Sequence, residues 1–172
     1  MRPSSLIRIA TLLLALMLAN CATNPVTGSP DFVTISESQE IQIGRAEDPK
    51  VRQEYGVYDN PALQRYVNEI GQKLAKHSHR PGLDYHFLVM DSPEVNAFAL
   101  PGGYIYITRG ILAYLNSEAE LAAVLGHELG HVTARHSVQQ MSAATAAQVG
   151  ASLLQIFVPQ ARSQAGDTLI NL

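Results

Sequence analysis

Residues 120–136 read Glu120-Leu-Ala-Ala-Val-Leu-Gly-His127-Glu128-Leu129-Gly130-His131-Val-Thr-Ala-Arg-His136, and a pattern inside them decides how the rest is read. His127-Glu128-Leu129-Gly130-His131 is H-E-x-x-H, a spacing that carries chemistry only on a helix. Ser117 with Glu120 three residues on forms a capping box, which predicts a helix from there past His131 to about Gln139. Four residues are slightly more than one turn, so both imidazoles leave the same face, about 6 Å apart along the axis. Nitrogens placed in this way can share one Zn²⁺ at about 2.0–2.1 Å each. Glu128 lies about 100° around the helix from His127, where its carboxylate reaches a metal-bound water without being a ligand. Such an ion lowers the pKa of its water toward ~7, and the carboxylate takes the proton as the water attacks a carbonyl. The expected site is therefore one Zn²⁺ per chain on His127 and His131, with Glu128 as catalytic base. The competing reading, a helix with incidental histidines, places two imidazoles among Leu125, Leu129 and Val132 at a desolvation cost that nothing offsets.

The third ligand is harder to find. An extended H-E-x-x-H-x-x-G-x-x-H would need glycine at position 134 and histidine at 137, where Ala134 and Ser137 stand. His136 falls one residue early and is expected to cap the helix or to support a ligand from behind. The other common solution is a glutamate on a later helix, but beyond Glu128 the only acidic residue is Asp167. Glu118 and Glu120 lie upstream, and Glu120 is about 10 Å from His127 along the axis. His77, His79 and His86 remain as further candidates. The expectation from the residues is that the third ligand is missing from this chain.

Composition sets the class. The 172 residues are 47% hydrophobic and 16% charged, enough apolar material for a packed domain and too much for disorder. Twelve Lys and Arg against fifteen Asp and Glu give a net charge of -3, so no nucleic-acid partner is expected. The single cysteine excludes an intramolecular disulfide and a multi-thiolate metal site.

That cysteine, Cys21, closes an N-terminal address. Arg2 and Arg8 precede an apolar run over residues 9–19, about half of what a membrane-spanning helix needs. A positive start followed by a short apolar core is the pattern of a secretory signal. Leu18-Ala19-Asn20-Cys21 looks like a bacterial lipobox, although Asn20 stands where a small residue is usual. Residues 1–20 are expected to be a cleaved signal and Cys21 the lipidated first residue, a plain signal with an incidental cysteine being the other reading. Two or more acyl chains hold a soluble domain at a bilayer, so the protein is expected in the periplasm, anchored to a membrane, with the outer membrane favoured.

Residues 21–35 are rich in turn formers and read as a tether. Ser36 and Gln39 form a second capping box, opening a helix through about Ala46 that Pro49 ends. Asn60-Pro61 starts an amphipathic helix over 61–77, with Leu63, Tyr66, Val67, Ile70 and Leu74 at helical spacing. Residues 85–91 alternate with apolar side chains on both faces, which predicts a strand covered on both sides. Residues 96–100, Pro101-Gly102-Gly103 and residues 104–108 read as strand, turn, strand. Over 142–158, Ser142, Thr145, Gln148, Ser152 and Gln155 form a polar stripe on an otherwise apolar helix, which is expected to bury its other side and to act as a lid over the cleft.

Three stretches together resemble the M48 zinc metallopeptidases. They are Gln53-Glu-Tyr-Gly-Val-Tyr-Asp-Asn-Pro, Asn96-Ala-Phe-Ala-Leu-Pro-Gly-Gly-Tyr-Ile-Tyr-Ile-Thr-Arg-Gly, and the helix from Glu120 to His136. The likeness is to the bacterial periplasmic, lipoprotein-type branch of that family and covers roughly residues 36–140. It implies an α+β, gluzincin-like domain over 36–172, with helices packed on a small sheet and the H-E-x-x-H motif in a central helix. It also implies endopeptidase activity on envelope polypeptides, a role in protein quality control, and a cleft bordered by the strand Tyr104–Thr108, or by its neighbour with Asn96-Ala97-Phe98, that holds extended peptides by strand addition. The resemblance implies further that a glutamate beyond Leu172 completes the zinc site, so that this chain is expected to be the N-terminal part of a longer one. Without that ligand, the alternative is an inactive peptidase fold serving as scaffold or chaperone.

Overall fold

The computed structural model describes residues 21–157, with side-chain surroundings through residue 151. The signal segment, the last fifteen residues with Asp167, and the lipidation state of Cys21 lie outside that description. In chain order the elements are β1 (Cys21–Thr23), β2 (Pro30–Phe32), α1 (Glu37–Tyr55), α2 (Pro61–Lys76), β3 (His86–Met90), β4 (Ala97–Leu100), β5 (Tyr104–Thr108), α3 (Arg109–Leu112), α4 (Glu118–Thr133) and α5 (His136–Phe157).

The sheet has the order β3-β5-β4, with β5 parallel to β3 and antiparallel to β4. Parallel neighbours need a crossover, and β4 with its Pro101-Gly102-Gly103 turn supplies it. Gly102 and Gly103 take φ of 78° and 103°, backbone that side-chain-bearing residues rarely adopt. Every residue of β5 is buried. On one face Phe87, Val89, Ile105 and Ile107 meet Val67 and Ile70 of α2 and Leu121, Leu125 and Leu129 of α4. On the other, Met90, Tyr104 and Tyr106 meet Val51 and Tyr55 of α1. Two apolar faces thus call for two covering layers, as the alternation over 85–91 predicts, and the domain is α+β. Gly71 lets α2 approach the sheet: a Cβ there would sit inside the Phe87 ring.

Four expectations need correction. Pro49 does not end the first helix, which runs on to Tyr55. The lost N–H bond is offset by Arg52, whose Nε reaches both Asp48 oxygens at 2.8 Å, by Tyr106 Oη donating to Asp48 at 2.8 Å, and by the packing of Val51 and Tyr55. Termination falls instead to Gly56, with φ of 70°. Within the expected tether, β1 and β2 pair antiparallel. Asn24 closes their turn, accepting from Val26 and Thr27 N–H and donating to Asp31 at 2.6 Å.

The helix expected over 117–139 is two helices. α4 stops at Thr133, Arg135 takes φ of 59°, and α5 begins at His136, six residues earlier than the reading of 142–158 placed it. The fourth correction concerns α5 itself. Ser142, assigned to the outer stripe, is fully buried and accepts Thr34 N–H at 3.0 Å. Its apolar neighbours Ala143, Ala144, Ala146, Ala147 and Val149 are exposed. The helix is anchored at its start by Val138 and Ser142 and then runs outward, so a long-range contact to Thr34 overrides the local stripe.

Candidate metal centre

Helix α4 is oriented by its apolar stripe. Leu121, Leu125, Leu129 and Val132 are buried against the sheet, and at 100° per residue His127 and His131 must then face away from it. Ser117 caps the start, accepting Glu120 N–H at 3.2 Å. The expected capping box is only half formed, because Glu120 Oε2 accepts from Asn116 N–H at 2.6 Å rather than from the cap residue. Glu118 accepts from Tyr66 Oη at 3.0 Å. Both acids are therefore engaged at the helix start, well away from the histidines.

His127 Nε2 and His131 Nε2 lie 3.1 Å apart, with ring centroids separated by 4.8 Å and planes 77° apart. Two nitrogens at this spacing subtend about 100° at a point ~2.05 Å from each, close to the tetrahedral angle that zinc adopts. The donor set fits half of a zinc site. Among the described residues no cluster of three or more His, Cys, Asp or Glu side chains converges to hold a metal ion. His77, His79 and His86 do not join the pair; His86 instead stacks on Tyr104 with centroids 4.6 Å apart.

Glu128 is half-buried and lines a cleft of about 440 Å³ together with His127, Ala123 and Val124 of α4, Val95, Asn96 and Ala97 at the start of β4, and Ile111 of α3. No hydrogen bond or ion pair to another described residue engages its carboxylate. No described residue of α5 lines this cleft. The outer edge of β4 is unpaired among the described strands.

The break after α4 shapes the far side of the site. It lets the His136 ring turn back onto His131, with Nδ1 to Nδ1 at 2.8 Å and centroids 4.9 Å apart. The break is held by Glu40 of α1, whose side chain is 1% exposed. Glu40 accepts from Arg80 Nη1 at 2.8 Å, Arg80 Nη2 at 3.2 Å and Arg135 Nε at 2.8 Å. Arg80 also donates to the Val132 carbonyl at 3.2 Å, giving a carbonyl at the end of α4 a side-chain partner, and Arg135 donates to the Ile35 carbonyl, just before α1, at 2.9 Å. Burial pulls the Arg80 guanidinium pKa down, but the hydrogen bonds and charge of Glu40 and Glu37 outweigh it and leave it above its usual value. Sequence reasoning missed this cluster, because residues 40, 80 and 135 share no local period; His136 carried a signal only in its place just after the motif.

The model of peptidase family M48 matches residues 61–171. The chain belongs to peptidase family M48. It is 32% identical over 170 residues to the beta-barrel assembly-enhancing protease of Escherichia coli, covering 92% of this chain and 35% of that protein. It is 32% identical over 167 residues to a putative beta-barrel assembly-enhancing protease of Vibrio cholerae, covering 88% of this chain and 34% of that one. Over 89 residues it is 40% identical to the mitochondrial metalloendopeptidase OMA1 of Arabidopsis thaliana, 52% of this chain and 18% of the relative. This M48 chain thus spans about a third of the length of the bacterial relatives it matches.

Proposed function

We propose that this M48 chain carries the catalytic half-site of a zinc metalloendopeptidase, with His127 and His131 as metal ligands and Glu128 as general base. The observation that carries the reading is the pair of Nε2 atoms 3.1 Å apart, with His127 on the wall of a cleft that is also lined by Glu128, whose carboxylate no other described residue engages. When bound, zinc supplies Lewis acidity and a water acidic enough to be deprotonated near neutral pH. Glu128 accepts that proton on a carboxylate oxygen and returns it to the leaving amine. The apolar side chains of Val95, Ala97, Ile111 and Val124 limit water in the cleft and strengthen the local electrostatics. The free edge of β4 pairs with an extended peptide by strand addition. The remaining ligand comes from outside the described residues.

The substrates are polypeptides of the bacterial envelope, a reading supported by the name of the Escherichia coli relative and by the export signal. Cys21 is the lipid anchor that holds the domain at a membrane, with the outer membrane favoured. Labelled palmitate incorporated by the wild type and lost in Cys21→Ser supports the anchor; equal labelling of both contradicts it. Casein hydrolysis tests the chemistry. Glu128→Gln lowers turnover by about 10²–10⁴-fold at unchanged zinc content, whereas retained turnover overturns the base assignment.

The second reading, an inactive scaffold or chaperone, is favoured by one observation: the described residues converge only two ligands. Zinc-dependent turnover that disappears in Glu128→Gln excludes it.

A further inference from the structure

We infer that His136 is a positioning residue that fixes the His131 ring, and that the bend between α4 and α5 exists to deliver it. The inference rests on the zinc reading above and deepens it. His131 has two ring nitrogens. Its Nε2 faces His127 at 3.1 Å and its Nδ1 faces His136 Nδ1 at 2.8 Å. Two imidazole nitrogens at 2.8 Å need one proton between them, since two lone pairs repel and two N–H groups collide. A lone pair on His131 Nε2 can face a metal only if the proton of the neutral ring is on Nδ1. His131 Nδ1–H then donates to His136 Nδ1, and His136 carries its own proton on Nε2. This bond does for His131 what a carboxylate or carbonyl commonly does for a metal-ligating histidine: it sets the tautomer and locks the ring plane.

Nothing in a continuous helix would give this contact. Residues five apart lie about 140° apart around one helix axis, so the His136 ring could not turn back on His131. The contact exists because Arg135 takes φ of 59°, a left-handed conformation that is unfavourable for a residue with a Cβ. That conformation is held by Arg135 Nε on Glu40 and Arg135 Nη2 on the Ile35 carbonyl. Strained backbone sustained by buried partners, directly beside a candidate ligand, points to a built support rather than to a helix that happens to end.

Two measurements on the purified chain test this. In the metal-free wild type, long-range proton–nitrogen correlation spectra of labelled histidine show His131 with its proton on Nδ1. In His136→Ala the same ring becomes a tautomer mixture. In His136→Gln, whose side-chain oxygen can accept the same hydrogen, the Nδ1–H form returns. Competition against a chromophoric chelator gives zinc affinity: His136→Ala binds about 10–100-fold more weakly than wild type, and His136→Gln recovers part of the loss. An unchanged tautomer in His136→Ala, or equal zinc affinity in folded wild type and His136→Ala, overturns the inference while leaving the zinc reading standing. If the wild type binds no zinc, the function proposed above falls, and the tautomer spectra still decide the link between His136 and His131.

Discussion

Arg135 donates from Nε to the buried carboxylate of Glu40 at 2.8 Å while its own backbone sits at φ of 59°. The two residues are 95 positions apart, and with Arg80 they tie α1, the loop after α2, and the junction of α4 and α5 into one ion cluster. Removing one partner from such a cluster leaves uncompensated buried charge, which costs far more than the net contribution of the intact pair. Glu40→Ala should therefore lose about 3–5 kcal/mol of stability. Urea unfolding followed by circular dichroism checks this, and a loss below about 1 kcal/mol would mean that the arginines find other partners.

Tyr106 makes a prediction about alkaline stability. Its ring is fully buried and its hydroxyl donates to Asp48 at 2.8 Å. Burial first, then the Asp48 hydrogen bond and charge, push the phenol pKa up; burial also raises Tyr85. The folded chain thus keeps protons that the unfolded chain gives up near pH 10. Stability is full below that value and falls as pH rises beyond it. Tyr106→Phe should cost about 1 kcal/mol at neutral pH from the lost hydrogen bond and should show a shallower decline above pH 10, part of which Tyr85 preserves. Parallel declines in the two proteins would contradict the assignment.

The outward course of α5 separates two readings of the same stretch. If its apolar side were packed, Val149→Asp would bury an unpaired charge and cost several kcal/mol. Val149 is 54% exposed, so the expected change is within about 0.5 kcal/mol. Thermal unfolding of this variant decides, a large drop in Tm meaning that the helix packs where it is described as exposed.

Legibility from the sequence followed the range of the interactions. Local rules were enough for the Ser36 and Asn60 caps, the strand over 86–90, the Pro101-Gly102-Gly103 turn and the helix that carries His127 and His131, because each depends on residues within a turn or two. Pro49 misled because the contacts that hold the helix past it, the Arg52 pair aside, run from Asp48, Val51 and Tyr55 to the sheet. The bend at Arg135 was hidden because the residue that holds it, Glu40, is 95 positions away, and no periodicity in 117–139 marks it. Ser142 was placed on the wrong face for the same reason, its partner being Thr34. The candidate site was more legible than the scaffold: the two proposed ligands and the proposed base fit in five consecutive residues, whereas the contact of His136 with His131 depends on tertiary structure.

The central claim is that His127 and His131 share one divalent ion. Zinc X-ray absorption on the metal-loaded protein tests it most directly. The account predicts near-stoichiometric zinc with two imidazole nitrogens at about 2.0–2.1 Å, one of them lost in His127→Ala together with most of the affinity. Zinc bound equally well by the wild type and by the folded His127→Ala and His131→Ala variants would contradict it.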